Sequence, residues 1–475
     1  MYKLVKKIDP VIFRGYDIRG LVDKQLNPDV YYTFGRAYAT WLTQRRIKEC
    51  VVGHDCRLSS PEYAQAIIVG LNDGGIDTYY VGQTLSQIIY FSSYEFKTKG
   101  AVMITASHNP KEFNGLKLGT GYSETMLSDE VIMFRDLCAA GKFVKPAEAG
   151  RNKNVDILSA YKNHLLKHFN LAKRWKVVVD GCCTGSGAIY PSILRAAGCE
   201  VIEQNCVPDG NFPAGVPDPT ESKVLERLGA GVKAAKADIG FAYDADGDRM
   251  SAVNEKGQPI WMDVIVALFA KDTLATLPGA PIVYNTLCSR AVTETIENAG
   301  GQPVMWVTGH SFIKAKVAEV RAPFGGELSG HIYFTDNYYG HDDGAYATLR
   351  LLNFLEREGK QLSQAVAELP QYVSSPEIKL GLADEIKFGF INTQIKADLE
   401  KVWPKAQYLT IDGVRADLSD RMVIIRASQN GPYVTIKFEG KTKVIYNEMK
   451  AAIRKILKSH PEIDWKSGVN THAFD

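Results

Sequence analysis

A serine stands where an apolar segment ends in the first third of the chain, in the motif Thr105-Ala106-Ser107-His108-Asn109-Pro110. The residues before it, Gly100–Ile104, predict a strand. Ser107 beside His108 has two interpretations: a cap of the following turn, or a nucleophile that carries a covalent group. The Gly-x-Ser-x-Gly pattern is absent here, so a hydrolase elbow is not indicated. Lys117, ten residues further on, favours a phosphate environment and can act as acid or base where its pKa is depressed.

A second polar motif places three carboxylates at alternate positions, in Asp244-Ala245-Asp246-Gly247-Asp248-Arg249. Two carboxylates about 4 Å apart repel by roughly 4 kcal/mol near a protein surface, so a converging trio favours a bound cation. Oxygen ligands suit Mg²⁺ or Ca²⁺. An EF-hand is excluded because Arg249 replaces its required glycine and residues 239–243 predict a strand. A solvated acidic turn is the alternative, and Arg249 either pairs with an Asp or donates to a phosphate.

A third motif sets a carboxylate, a hydroxyl and an imidazole at alternate positions: Glu327, Ser329 and His331. On an extended segment these side chains point the same way, and such a face suits hydrogen bonding to a polyol. A glycine-flanked polar turn is the alternative.

A fourth motif, Arg426-Ala427-Ser428-Gln429-Asn430-Gly431-Pro432, offers side-chain donors and a glycine turn. Arg426, Ser428 and Asn430 form a reasonable anion cradle. A solvated hairpin turn is equally compatible with this stretch taken alone. The same two interpretations apply to Arg14 and Arg19 near the amino terminus.

The elements that must position these motifs repeat three times. An apolar segment, a stretch with helical spacing that ends at glycine, a second apolar segment and a polar loop follow one another, which is typical of a parallel α/β sheet. The first segments begin at residues 51, 176 and 281, the second at residues 78, 200 and 303, and the loops follow residues 104, 243 and 326. Ligands bind at the carboxyl ends of strands in such sheets, so all three loops fall where a site is expected.

The carboxyl-terminal part has a different pattern. Residues 423–426 and 433–438 predict strands around a polar loop, and residues 447–457 have helical spacing, so a smaller α+β domain is expected after a boundary near Leu369-Pro370. We therefore predict an α/β fold of three similar domains with mixed, mainly parallel sheets, followed by an α+β domain, around a central cleft. The predicted bounds are 1–152, 153–256, 257–370 and 371–475.

Composition narrows the class of protein. The chain has 475 residues and a formal net charge of +2, so it lacks the basic surplus of a nucleic-acid or membrane-surface binder. Eight scattered cysteines, two of them adjacent, indicate a reducing compartment. We find no signal-peptide core or bilayer-spanning apolar run, so a cytoplasmic protein is expected, as a monomer or homodimer.

Taken together, the motifs resemble the α-D-phosphohexomutase family, in its bacterial phosphomannomutase/phosphoglucomutase branch. The resemblance covers nearly the whole chain. It is carried, in order, by residues 16–19, 53–60, 105–110 with 114–117, 244–249, 308–314, 326–331 and 426–432.

The resemblance implies a hexose phosphate substrate and a reversible shift of its phosphate between the 6- and 1-positions of mannose or glucose. It implies that Ser107 carries the phosphoryl group, that Mg²⁺ is the cofactor, and that a hexose 1,6-bisphosphate is activator and intermediate. The implied metal ligands are Ser107, Asp244, Asp246 and Asp248. The implied catalytic residues are Ser107, His108, Lys117, Arg19, Arg249 and His331. The implied substrate-binding residues are Tyr16, Glu327, Ser329, His310, Arg426, Ser428 and Asn430.

Two departures from the family pattern bear on affinity for the substrate. The phosphate loop of relatives has an acidic residue before its proline, and this chain has Gly431. Many relatives carry a lysine where this chain has Leu287. At the position of Leu328, relatives that act on glucosamine phosphate tend to have glutamine. The apolar Leu328 therefore favours mannose and glucose as the sugar. A phosphoglucosamine mutase, or a catalytically impaired sugar-phosphate-binding protein on this scaffold, is the alternative.

Overall fold

The computed structural model describes residues 2–429 and 431–475. The chain divides into two compact units. The first comprises residues up to Met262 together with Ser329–Ala365, and the second comprises Asp263–Leu328 and Val366–Asp475. These units are broader than the four predicted domains, whose bounds stay a prediction.

The amino-terminal sheet forms from the first repeat. Its strands are β1 (Ile18–Leu21), β2 (Glu49–His54), β3 (Asp77–Gln83), β4 (Gly100–Ile104), β5 (Phe113–Gly121), β6 (Glu124–Thr125) and β7 (Asn152–Asn154). Its helices are α1 (Pro28–Gln44), α2 (Ser60–Asp73), α3 (Ser86–Glu95) and α4 (Ser128–Ala140). The strand order is β1-β5-β4-β2-β3-β7, with β6 beside β5. Helices α1 and α2 cross closely because both contribute a glycine: a Cβ on Gly35 would stand 2.4 Å from the Ile67 carbonyl oxygen.

The second sheet forms from the second repeat, in the same unit. Its strands are β8 (Lys176–Asp180), β9 (Glu200–Gln204), β10 (Ile239–Tyr243), β11 (Met250–Val253) and β12 (Pro259–Ile260), in the order β12-β11-β10-β8-β9. Its helices are α5 (Leu158–Leu166), α6 (Gly185–Ala196) and α7 (Ser222–Ala235). Buried apolar side chains of β8, β10 and α7 share a core.

The third repeat lies mostly in the second unit. Its elements there are α8 (Met262–Thr276), β13 (Pro281–Asn285), α9 (Arg290–Asn298), β14 (Gln302–Trp306), α10 (His310–Glu319) and β15 (Phe324–Gly326). The chain then enters the first unit with β16 (Ile332–Phe334) and α11 (Gly344–Glu358), and α12 (Leu362–Ala367) ends at the boundary. Asp343 caps α11 by accepting the amides of Ala345 and Tyr346, and it also accepts the hydroxyl of Tyr161, which ties α5 to α11.

One strand order recurs in all three repeats, and this confirms the predicted repetition. The first strand of each repeat lies between the other two and is parallel to both: β2 between β4 and β3, β8 between β10 and β9, and β13 between β15 and β14. The polar loop follows the third strand each time. The carboxyl edge of each parallel trio therefore carries one of the predicted motifs.

The carboxyl-terminal region is the predicted α+β domain. Its strands are β17 (Val373–Ser374), β18 (Ile378–Gly381), β19 (Gln407–Leu409), β20 (Val414–Asp417), β21 (Arg421–Ala427), β22 (Tyr433–Gly440) and β23 (Asp464–Val469). Its helices are α13 (Lys387–Phe390), a π-helical turn (Ile391–Ile395), α14 (Lys396–Val402) and α15 (Lys443–Lys458). β21 and β22 pair antiparallel, and α15 packs its apolar face on this sheet.

Candidate active site

Ser107 lies in the loop after β4, and its side chain is buried. Its φ of 49° is left-handed, which costs a residue with a Cβ roughly 1–2 kcal/mol, so the surroundings must hold it in place. The Ser107 hydroxyl donates to Asp244 Oδ2 over 2.8 Å and lies 3.2 Å from Nδ1 of the half-buried His108. The Ser107 hydroxyl thus faces the acidic loop. The alternative from the sequence was a hydroxyl that caps the following turn.

The acidic loop follows β10, and Asp244, Asp246 and Asp248 are fully buried. One oxygen from each carboxylate lies within 4.8 Å of those of the others. Burial, and then the charges of Asp246 and Asp248, raise the pKa of Asp244 well above its usual value. A solvated acidic turn, the alternative from the sequence, is therefore wrong.

Lys117, on β5, contacts this trio directly. Its Nζ lies 2.6 Å from Asp246 Oδ2 and 2.5 Å from Asp248 Oδ2. Burial alone lowers the pKa of Lys117, but the charges of Asp246 and Asp248 outweigh it and raise that pKa well above the ordinary value. From the sequence, Lys117 could act as a base only if its pKa were depressed. In this arrangement its pKa is raised instead, so the amine is protonated.

The residues present fit a divalent cation. The carboxylates bring three formal negative charges to one buried place, and Lys117 supplies one positive charge in direct contact. Among the described residues, Oδ1 of Asp246 and Oδ1 of Asp248 are buried without a hydrogen-bond partner. Buried carboxylate oxygens are costly unless they bind a proton donor or a metal, and hard oxygen ligands suit Mg²⁺ or Ca²⁺.

Two arginines lie near Ser107. Arg19, on β1, donates to Asn109 Oδ1 over 2.9 Å and to Asp17 over 2.7 Å. Arg249 lies 3.8 Å from Asp244 through Nε, and the same Nε donates to His331 Nε2 over 2.9 Å. Both arginines therefore place a guanidinium group beside the Ser107 loop, and such groups bind multiply charged anions with two donors at once.

His331 lies between Arg249 and Asp342. Arg249 Nε donates to His331 Nε2 over 2.9 Å, and Nδ1 of the same ring lies 2.7 Å from Asp342 Oδ2. Of the two interpretations of this motif, the glycine-flanked polar turn is the one that the structure has. The strand ends at Gly326, and the chain turns through Gly330, whose φ of 94° and contact with Met250 no side chain could tolerate.

Sequence reasoning missed a buried clamp on the Ser107 loop. Arg57 donates from its two terminal nitrogens to the carbonyl oxygens of Ser107, Asn109, Pro110 and Phe113, over 2.6 to 3.0 Å. Asp55 accepts from Arg57 Nε and from the Thr105 hydroxyl, and that hydroxyl accepts the Ser107 amide. Residues 53–60 were part of the family resemblance, but their spacing did not predict a contact with the Ser107 loop, fifty residues away.

Ser86 was missed as well. It begins α3, donates its hydroxyl to Asp246 Oδ2 over 2.6 Å and donates its amide to the Asp246 carbonyl oxygen over 2.9 Å. Neighbouring side chains in the sequence gave no signal for this contact. Of the remaining predicted residues in the first unit, Tyr16 is buried just before β1, and Ser329 is half-buried in the turn before His331.

The second unit holds the other predicted residues. Glu327 is buried after β15, and its Oε1 accepts the amide of Gly309 over 2.8 Å, next to the buried His310 at the start of α10. The Leu328 amide donates to Asn285 Oδ1. The loop after β15 is therefore held by the end of β13 and by the loop after β14.

Arg426, at the end of β21, donates from Nε to the buried Asp412 over 2.9 Å. Asp412 also accepts the Thr308 amide and the Thr286 hydroxyl, so one carboxylate links the arginine to the loops after β13 and β14. The buried Ser428 donates its amide to the Tyr433 carbonyl oxygen over 3.0 Å. Asn430 lies outside the described residues.

Among the described residues, no helix has both the length and the apolarity needed to cross a membrane.

The comparisons with known proteins agree across the chain. Profiles of phosphoglucomutase/phosphomannomutase α/β/α domains I, II and III match residues 10–131, 159–257 and 261–373. A phosphomannomutase/phosphoglucomutase of Pseudomonas putida is 37% identical over 459 residues, which are 95% of this chain and 96% of the relative. A phosphoglucomutase of Neisseria gonorrhoeae is 34% identical, over 96% of this chain and 98% of its own.

A solved structure supports the same assignment. A phosphoglucomutase/phosphomannomutase family protein of Burkholderia thailandensis is 33% identical and superposes with a TM-score of 0.88, covering 95% of this chain and 98% of its own. The similarity therefore covers nearly the whole chain. The chain belongs to the phosphoglucomutase/phosphomannomutase family.

Proposed function

We propose that this protein interconverts the 6-phosphate and 1-phosphate forms of mannose and of glucose, through a phosphoserine at Ser107 and a hexose 1,6-bisphosphate intermediate. The observation that carries the proposal is the Ser107 hydroxyl, held 2.8 Å from a buried carboxylate trio in a strained, clamped loop. A merely capping serine needs no such surroundings. The names of the relatives in Pseudomonas and Neisseria support the same reaction.

The proposed chemistry is an exchange of one phosphate ester for another. A sugar hydroxyl oxygen attacks the phosphorus of phosphoserine, the new O–P bond forms, and the bond from Ser107 Oγ to phosphorus breaks. The proton of the sugar hydroxyl passes to a base, and Oγ takes up a proton as it leaves. His108, Lys117 and His331 are the candidate acids and bases, and the protonated state of Lys117 favours its role as the acid. The reverse exchange at the other sugar position restores phosphoserine.

Charge stabilisation in this step is assigned to the groups around Ser107. Arg19 and Arg249 donate to the oxygens of the transferring group, which bears increasing negative charge. We propose Mg²⁺ as the metal, held by Asp244, Asp246, Asp248 and the phosphorylated Ser107; when bound, it supplies positive charge against the phosphoryl oxygens.

The remaining predicted residues are assigned to the substrate. Glu327, Ser329, His310 and Tyr16 hydrogen-bond the sugar. Arg426, Ser428 and Asn430 bind the phosphate that is not being transferred, and so orient the reacting hydroxyl. The buried, apolar Leu328 offers no hydrogen bond to an amino group, which supports mannose and glucose rather than glucosamine as the sugar.

Compartment and assembly follow as part of the proposal. The eight cysteines are buried and form no disulfide within the described chain, which supports a reducing, cytoplasmic setting. The near-neutral charge supports a small-molecule substrate rather than a nucleic acid. We propose a monomer or homodimer.

A coupled assay tests the substrate class. With Mg²⁺ and a trace of glucose 1,6-bisphosphate, we expect turnover of mannose and glucose phosphates within about tenfold of each other in kcat/KM. Glucosamine phosphate is expected to be slower by about a hundredfold, the discrimination that an apolar pocket achieves against a ligand whose polar group it does not match. Absence of turnover with all three sugars, after incubation with the bisphosphate, would overturn the proposed function. A preference for glucosamine phosphate would reassign the substrate.

Arg57→Lys tests the clamp on the Ser107 loop. Lysine keeps the charge but loses the planar fork that reaches four carbonyl oxygens, so the loop shifts and kcat falls by about a hundredfold, with KM changed little. Steady-state kinetics and the rate of Ser107 phosphorylation by the bisphosphate are the readouts. Arg227→Lys is the matched control, since Arg227 donates to Asp180 and to the Ala214 carbonyl oxygen and does not contact the Ser107 loop. Equal losses of kcat in both variants would contradict a positioning role for Arg57.

A further inference from the structure

A buried lysine lies against the predicted phosphate loop. Lys387 begins α13, and only 4% of the residue is exposed, whereas lysine is almost never this buried unless it is paired. Its Nζ donates to the Gly431 carbonyl oxygen over 2.8 Å and to Asp384 Oδ1 over 2.6 Å. No motif in the sequence singled out Lys387, which is 44 residues from Gly431.

The contact falls on a glycine of the predicted phosphate loop. A Cβ on Gly431 would stand 2.7 Å from a ring carbon of Tyr433, so a side chain here requires that the tyrosine move. The Gly431 carbonyl oxygen also accepts the Tyr433 amide over 2.9 Å. The loop of this chain is therefore held by a lysine through its backbone, at a position that has no side chain.

The charges around the loop give the lysine a further role. Arg426 donates to Asp412, and both side chains are buried, so this pair brings little net charge to an incoming anion. Asp384, the partner of Lys387, has a side chain that is 41% exposed, and water screens its charge. Lys387 is thus a buried positive charge whose counter-charge is solvated, at the loop assigned to a phosphate with a charge near −2.

We infer that Lys387 supplies positive charge to the phosphate loop and fixes its backbone at Gly431, so that it sets the affinity for the phosphate that is not transferred. The inference rests on the proposed function, since it takes a hexose phosphate as the ligand. It makes Lys387 a positioning residue that acts through the loop and through its charge, in this chain's version of the motif.

Binding of glucose 6-phosphate to protein that cannot turn it over is the direct test. Isothermal titration calorimetry is run on Ser107→Ala as the reference and on Ser107→Ala combined with each second change. Lys387→Met keeps the length and removes the charge, and we expect affinity to fall about tenfold, the size of one charge-assisted contact. Lys387→Arg keeps the charge and should stay within about threefold of the reference.

Asp384→Asn should change the affinity for glucose 6-phosphate in the opposite direction. Removing the solvated counter-charge leaves the loop and Lys387 in place, so affinity should rise by about twofold to threefold, as expected for an exposed ion pair. If Lys387 had a purely structural role, Asp384→Asn would not raise the affinity. Lys401→Met is the matched control, because Lys401 pairs with Asp398 at the same spacing but is 75% exposed on α14. It should leave affinity unchanged.

The outcomes separate the two proposals. Unchanged affinity in Lys387→Met, or no gain in a folded Asp384→Asn, would overturn the inference and leave the proposed function standing. If the Ser107→Ala reference does not bind glucose 6-phosphate, the proposed function fails and the inference falls with it. In protein that retains Ser107, Lys387→Met should raise KM about tenfold with kcat nearly unchanged. A fall in kcat alone would contradict a role in phosphate binding.

Discussion

Ser107→Ala abolishes sugar-phosphate isomerisation, with kcat reduced by at least about 10⁴-fold, because the phosphoryl group then has no oxygen on the protein to accept it. Intact mass spectrometry checks the same point without turnover. Native protein incubated with glucose 1,6-bisphosphate should gain the mass of one phosphoryl group, and Ser107→Ala should gain none. The fold should be retained, since the Ser107 amide and carbonyl contacts with Thr105 and Arg57 do not involve the side chain.

Ser192→Ala is the matched control for this prediction. Ser192 is half-buried on α6, where its hydroxyl donates to the Ile189 carbonyl oxygen, and its loss should leave activity and phosphorylation unchanged. A Ser107→Ala protein that still takes up one phosphoryl group, or still isomerises glucose phosphate at a native rate, would rule out Ser107 as the carrier.

Asp246→Asn has the second-largest expected effect. The change keeps the shape of a fully buried residue but removes a carboxylate that contacts Lys117 and Ser86. Burial works to raise the pKa of Asp246, yet the Lys117 ammonium holds that pKa below its usual value, so the ionised form is the one lost. We expect metal-dependent turnover to fall by about 10³-fold, since a divalent ion in phosphoryl transfer contributes several kcal/mol.

Metal binding gives this prediction a readout apart from activity. Titration with Mn²⁺, followed by the spin-resonance signal of the unbound ion, should show one tight site in the native protein and much weaker binding in Asp246→Asn. Asp180→Asn is the matched control, because Asp180 is an equally buried carboxylate at a strand end of the same sheet but pairs with Arg227. It should lower thermal stability and leave Mn²⁺ binding intact. Native Mn²⁺ affinity in Asp246→Asn would reject the metal assignment.

The fold was predictable because its signals are local and repeated. Strands at residues 49–54, 176–180 and 281–285 are apolar runs bounded by polar turns, and each following helix carries its own apolar spacing. Three copies of one pattern reinforce each other. The position of the polar loops at strand ends followed from the parallel arrangement alone. The bounds of the four domains stay a prediction.

The site was predictable as a set of loops and not as a geometry. The sequence left two interpretations of Glu327, Ser329 and His331, one extended face or a polar turn, and Gly330 turns the chain before His331. A glycine in a sequence is compatible with a turn and with a strand, and its neighbours in space decide between them. Here the neighbour is Met250, from another part of the sequence, which leaves no room for a Cβ.

By itself the sequence determined which side chains are present at the ends of which strands, and hence the serine, the carboxylate trio and the fold that carries them. The tertiary structure alone decided their partners: Arg57 on the Ser107 loop, Asp342 on His331, and Lys387 on Gly431. The physical reason is the range of the signals. Strand and helix patterns arise from contacts within a few residues, whereas buried charges must find opposite charges or carbonyl oxygens across the fold, and no spacing in the chain records which ones they meet.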